Sequence, residues 1–88
     1  MRQRIDQEIS VVMYYSALKR KALPRIIQWQ NKDYVVGEIG YIHKIKEGKK
    51  LFHIYEFCDK QKSLSFRISL DSDTLHWRLE YVSDGFAD

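Results

Sequence analysis

The sequence predicts an all-β fold: about six antiparallel strands in up-and-down order, curled into a small barrel or half-barrel. Three observations lead there. Two C-terminal segments, LSFRISL and LHWRLEY, alternate apolar and polar residues with period two, the mark of half-buried strands. Clusters of Gly, Lys, Asp and Asn fall between apolar runs at hairpin spacing. A sheet of six strands must curl or close to hide its edges.

From the N-terminus, Ile5 and Ile9 share a helical stripe and allow a short N-terminal helical segment. EISVVMYYS (8–16) is rich in β-branched and aromatic residues and reads as a strand. ALKRKAL (17–23) holds helix formers but is too short for a stable helix, so it reads as a turn or short connector. Pro24 caps the start of RIIQW, a strand in which Ile27 and Trp29 share a face, and QNKD turns the chain into YVVGEIG. Gly37 and Gly40 mark a bulge or sharp bend in that long strand.

EIGYIHKIK and LFHIYEFCD form the next hairpin. Its KEGK turn places Gly48 where a three-residue loop needs a left-handed residue. That loop sets Ile45 against Lys49, His43 against Leu51, Tyr41 against His53 and Ile39 against Tyr55. Ile39, Tyr41, His43, Ile45, Leu51, His53, Tyr55 and Phe57 then share the inner face, leaving Ile42, Phe52 and Ile54 outside. A two-residue Gly-Lys loop is the less favoured alternative. The KQKS connector places Phe57 opposite Phe66. In the last hairpin DSDT reads as a four-residue loop, pairing Leu70 with Leu75, Ile68 with Trp77, Phe66 with Leu79 and Leu64 with Tyr81.

Eighty-eight residues suit one domain, 1–88, with an ordered core at about 8–84. The apolar fraction of 44% with 14% aromatics supports a packed globule and excludes a disordered chain. Cys58 is the single cysteine and cannot form an internal disulfide. Asp6 and Glu8 interrupt any signal-peptide core, and no uncharged apolar run approaches the roughly 18 residues of a membrane span. A soluble cytoplasmic protein, with no membrane partner, is the expectation. Net charge is +3, but residues 71–88 carry five acidic groups against Arg78 alone, which leaves the remainder at +7. Its lysines and arginines group at 19–25, 44–50 and 59–63, where they can attract phosphate backbones or serve as ordinary solvated loop residues.

No phosphate-cradling glycine loop, CxxC, HExxH or nucleophile elbow is present, so neither catalytic residues nor a cofactor is expected. His43 and His53 come diagonally to roughly 7 Å in the predicted register. His76 and Cys58 point the other way, so the set falls short of the three or four ligands zinc needs, and no metal is expected. On the outer face Glu56, Arg67 and Arg78 fall in one row, a charge ladder completed by Glu80. The sharper reading of that row is an anion site built from Arg67, His76 and Arg78. Ile42, Phe52 and Ile54 make an outward apolar patch that wants a cover, either the N-terminal segment or a second copy of the chain.

The pattern P-x-x-I-x-W-x4-Y-x-V, from Pro24 through Ile27, Trp29 and Tyr34 to Val36, and the ending W-x-L-x-x-V-x-D, from Trp77 to Asp84, resemble short prokaryotic β domains of unknown function. In those domains a strand-turn-strand unit and a terminal Trp strand enclose a small β core. The resemblance implies a fold and transfers no site.

The expected function is a non-catalytic binding or assembly module that self-associates through Ile42, Phe52 and Ile54, with a protein partner or homodimer as its complex. The alternative is single-stranded nucleic-acid binding. There Lys19, Arg20, Lys21 and Arg25, with Lys44, Lys46, Lys49 and Lys50, would clamp phosphates while Tyr14, Tyr34 or Phe52 stacks on bases. It requires both basic segments on one side of the barrel. A ligand carrier or enzyme using His43, His53, Tyr41 and Tyr55 at the barrel mouth is the weakest reading, because side chains fill barrels of this size.

Overall fold

Alternation sets where each strand runs, and bulges set which way its side chains face. The computed structural model describes residues 2–84. Its strands are β1 (Arg2–Ser16), β2 (Lys21–Trp29), β3 (Lys32–Glu47), β4 (Lys50–Asp59), β5 (Ser65–Asp71) and β6 (Trp77–Ser83). They form one antiparallel ring in chain order, closed by pairing of β1 with β6. The all-β, six-stranded, up-and-down reading holds.

No helix occurs among the described residues, and the short N-terminal helical segment is corrected to strand. Residues 2–9 supply the ladder to β6 that closes the ring, and Ile5 and Ile9 pack on the core instead of covering an outer patch. Residues 17–20 form a turn, pinned by the Arg20 amide donating to the Ser16 carbonyl at 2.7 Å. β2 begins at Lys21, so Pro24 lies inside the strand and does not cap it. It faces Met13 where the β1 register slips by one, and an interrupted ladder tolerates a missing donor. Gln30 and Asn31 both have positive φ, 54° and 58°, as a two-residue type I′ hairpin turn requires.

The β3–β4 hairpin corrects the expected register. Glu47 pairs with Lys50 across a two-residue Gly48-Lys49 loop, with Gly48 at φ +61° in the first central position, the glycine site of a type II′ turn. Ile45 therefore meets Phe52, Lys44 meets His53, His43 meets Ile54 and Ile42 meets Tyr55. The shift is odd, so the near half of β3 turns over relative to β4. A bulge at Gly40 turns it back, and Ile39 meets Phe57 on the core side. At Gly37 an added Cβ would come within 2.8 Å of the Asp59 carbonyl oxygen, so the second irregularity of β3 brings backbone against backbone.

Phe57 faces Phe66, as the sequence predicts. In the last hairpin Leu70 meets Trp77 and Ile68 meets Leu79, two residues along from the expected pairing. The cause is Asp71. Its carboxylate accepts the Asp73 amide at 2.9 Å and the Thr74 amide at 3.4 Å, which lengthens the loop to residue 76 and turns Leu75 out to 68% exposure. An even shift keeps Phe66, Ile68, Leu70, Trp77 and Leu79 on the predicted face. A further bulge at Glu80 then puts Val82 inside and Tyr81 outside, opposite Arg67.

The core is led by Ile27, Ile68 and Leu79, which are fully buried, and joined by Ile9, Tyr55, Phe57, Phe66 and Val82. An aromatic chain crosses it from Trp29 through Tyr34 and Phe66 to Phe57, with centroid spacings of 6.2, 5.2 and 5.5 Å. Burial raises the pKa of the Tyr55 hydroxyl. Asp59 ends β4 as a buried carboxylate that accepts the Ser63 amide at 2.7 Å, the Ser63 hydroxyl at 2.6 Å and the Leu64 amide at 3.1 Å. Burial alone would raise its pKa, but these donors outweigh it and hold the carboxyl below its ordinary value.

Candidate interaction surface

The ring is uneven. β4, β5 and β6 pair along nearly their whole lengths, whereas β2 and β3 meet only from Ile26–Val35 to Trp29–Lys32. Beyond Val35 the β1–β2 and β3–β4 hairpins part, leaving residues 36–47 of β3 paired on the β4 side alone. A cleft of about 310 Å³ opens where they diverge, lined by Tyr14, Leu23, Arg25, Val36, Gly37 and Ile39, among others. Most of the exposed large apolar side chains lie on these two hairpins: Val12, Tyr14, Tyr15 and Leu18 on the first, Val35, Tyr41 and Ile42 on the second.

The hydrogen-bonding groups of this edge follow from the turn. Glu47 and Lys50 flank a two-residue loop and exchange both backbone bonds, and alternation gives Ile45 and His43 the same bonding to β4. The amides and carbonyls of Ile42, Lys44 and Lys46 consequently point to the unpaired side. Such an edge is a template for another strand unless charge or curvature guards it. Here Lys44 and Lys46 supply charge, while Tyr41 at 45% and Ile42 at 48% exposure leave the middle apolar.

The register separates the expected patch. Ile42 shares the face of Tyr55, whereas Phe52 and Ile54 project from the opposite face of β4. Ile54 is only 2% exposed, flanked in the ladder by His43 and Ser69, and Phe52 is half-buried. Of the three, Ile42 alone is exposed. The same shift puts His43 and His53 on opposite faces, with His43 stacked on Tyr41 at 5.5 Å. No group of three or more His, Cys, Asp or Glu suited to a metal occurs among the described residues.

Arg67, His76 and Arg78 do not come together. Arg67 lies opposite Tyr81 and binds Glu80 at 2.9 Å and Glu56 at 3.6 Å, while Arg78 lies opposite Ser69. Arg78 reaches β1 instead, donating to the Asp6 carboxylate at 2.6 Å and its carbonyl at 3.1 Å. The Arg78 hydrogen bond and charge hold the Asp6 carboxyl below its ordinary value. His76 is exposed in the β5–β6 loop. The three-strand ladder of Glu56, Arg67 and Arg78 is thus split by the two-residue shift and the Glu80 bulge. Its Glu56–Arg67 and Arg67–Glu80 contacts do form. Glu56 and Arg67 line, with Arg2, Tyr41, Cys58 and Tyr81, an outer groove of about 460 Å³. The Arg2 guanidinium lies 4.1 Å over the Tyr81 ring.

The basic residues fare differently. In an up-and-down ring the β1–β2, β3–β4 and β5–β6 connections share one end. Lys19, Arg20 and Lys21 are thereby on the same end as Lys46, Lys49 and Lys50, and all six are exposed. Arg25 lies over the Tyr14 ring at 5.1 Å, and Lys50 pairs with Asp71 at 3.1 Å. Asp71 at the end of β5 and Asp73 in the third connection dilute the positive charge of that end. The edge of β3 is open because its pairing with β2 stops at Val35, and the two-residue Gly48-Lys49 turn decides which of its backbone groups face outward. The Gly-X signal at 48–49 is the clue that could have found it.

No family model, curated protein or solved structure matches this chain. No helix among the described residues is long and apolar enough to cross a membrane.

Proposed function

We propose that the chain is a non-catalytic assembly module that self-associates through the open edge of β3, in the cytoplasm, where the thiol of its single cysteine stays reduced. The observation that carries this reading is the edge at residues 36–47, with its free backbone groups at Ile42, Lys44 and Lys46 and its exposed apolar centre at Tyr41 and Ile42. Adding a strand to such an edge supplies main-chain bonds without a preformed cavity. Sedimentation equilibrium over a range of concentrations tests it. A mass rising toward twice 10.6 kDa supports self-association, and a strict monomer at every concentration refutes it.

A second reading is favoured by the shared end of the two basic segments: single-stranded nucleic acid held by Lys19, Arg20, Lys21, Arg25, Lys44, Lys46 and Lys49. Its affinity would fall steeply with salt, with a log–log slope of about −0.7 per phosphate neutralised. Failure to retain single-stranded oligonucleotides at low salt eliminates it. Asp71 and Asp73 at the same end rank it below self-association.

A further inference from the structure

The β1–β2 hairpin carries a second surface, independent of the open edge of β3. β1 pairs with β6 only as far as Ile9–Trp77, and β2 pairs with β3 only from Ile26–Val35. Residues 10–16 of β1 and 21–25 of β2 are therefore laddered within this hairpin alone, as an arm that ends in the turn at 17–20. Val11 and Leu23 pack its base on the core. Its other apolar side chains face water, and their exposure climbs toward the tip: Val12 49%, Tyr14 51%, Tyr15 63% and Leu18 94%.

The charge of the arm has one sign. From Ile9 to Lys32 the chain holds no acidic residue, and Leu18 is followed directly by Lys19, Arg20 and Lys21. Among the described residues none of these three cations is in an ion pair. We propose that the arm docks on an anionic lipid surface. Leu18 and Tyr15 enter the boundary between headgroups and acyl chains, while Lys19, Arg20 and Lys21 reach the lipid phosphates.

Each residue type suits that boundary. A leucine gains there the burial it lacks in water. Tyrosine brings an apolar ring with a polar tip, and lysine and arginine lay their stems on apolar surface while their heads stay wet. Nucleic acid would use the same cations but gives Leu18 nothing to bury against. Lys46, Lys49 and the exposed Leu75 lie at the same end, but so do Asp71 and Asp73, so the first hairpin leads the contact. The expectation of no membrane partner rests on the lack of a spanning segment, which contact at a surface does not require.

Co-sedimentation of the full chain with vesicles tests the proposal. Binding is expected to vesicles of equal parts phosphatidylcholine and phosphatidylserine, not to phosphatidylcholine alone, and should weaken as salt rises. Leu18→Ser should weaken binding about tenfold at every salt concentration. Lys19→Gln and Lys21→Gln should each weaken it about fivefold, an effect that shrinks in high salt. Leu18→Trp reads depth: acyl-chain-brominated lipid in the mixed vesicles should quench it beyond the level seen for Trp29 and Trp77 in the parent. No sedimentation with the mixed vesicles at low salt, or no added quenching, overturns the proposal. Equal binding by the parent and Leu18→Ser, with single-stranded oligonucleotides displacing both, would assign the arm to nucleic acid instead. The arm and the β3 edge share no residue, so failure of one reading leaves the other standing.

Discussion

The β4–β5–β6 side and the β2–β3 side of this small ring are made from similar residues and behave as opposites. On the first, ladders run the length of the strands, and aspartates at both ends, Asp59 and Asp71, tie the turns with their carboxylates. On the second, four residue pairs hold the seam, and glycines at 37 and 40 bend β3 away from its neighbour. Apolar side chains are buried where the ladders are complete and exposed where they stop. Complete ladders and an open edge therefore sit in different parts of one sheet. A closed ring can keep an open edge if one hairpin outruns its partner, and β3 does so by twelve residues, 36–47.

That contrast can be broken most severely from the packed side. Ile68→Ala removes a fully buried side chain from the core and should cost about 2–5 kcal/mol, read from urea unfolding, because the ladders around it limit collapse. Gly37→Ala acts at the junction. The new Cβ meets the Asp59 carbonyl and the Lys60 backbone, neither the end of a flexible side chain, so a loss of about 1–3 kcal/mol is expected.

Asp59→Asn sharpens the comparison through pH. The folded carboxyl titrates below its unfolded value, so its contribution is fully present above the ordinary carboxylate pKa near 4 and is lost as pH falls through the depressed folded value. Wild-type stability should drop across that acid window, and the Asn variant should lose less there. At neutral pH the variant should already be about 1–3 kcal/mol less stable, because the amide cannot accept all three hydrogen bonds. The smallest effect lies on the open side. Ile42→Lys should change monomer stability by less than about 0.5 kcal/mol while abolishing self-association, which separates folding from assembly in one variant.

The packed side was also the legible side. Alternation in LSFRISL and LHWRLEY identified Phe66, Ile68, Trp77 and Leu79 as core, and a two-residue error in the loop left that assignment intact because the period is two. The length of the Asp71 turn is not legible from DSDT, since a carboxylate capping two amides is compatible with several loop sizes. On the open side, parity worked against the reading. Choosing three residues over two at Gly48 inverted Tyr41, Ile42, His43 and Ile45 together, and with them the patch of Ile42, Phe52 and Ile54. Ile39 was still placed correctly, because the bulge at Gly40 cancels the inversion. The bulges of β3 are legible in Gly37 and Gly40, whereas the one at Glu80 is set by how the ring closes, a long-range requirement that no local residue pattern signals.

Amide hydrogen exchange along β3 at increasing protein concentration probes the open edge most directly. His43 and Ile45, bonded to β4, should exchange slowly throughout, whereas Ile42 and Lys44 should exchange fast in dilute solution and become protected as copies pair. Fast exchange at Ile42 and Lys44 at every concentration, or slow exchange there in a monomer, would contradict an edge left free for a second chain.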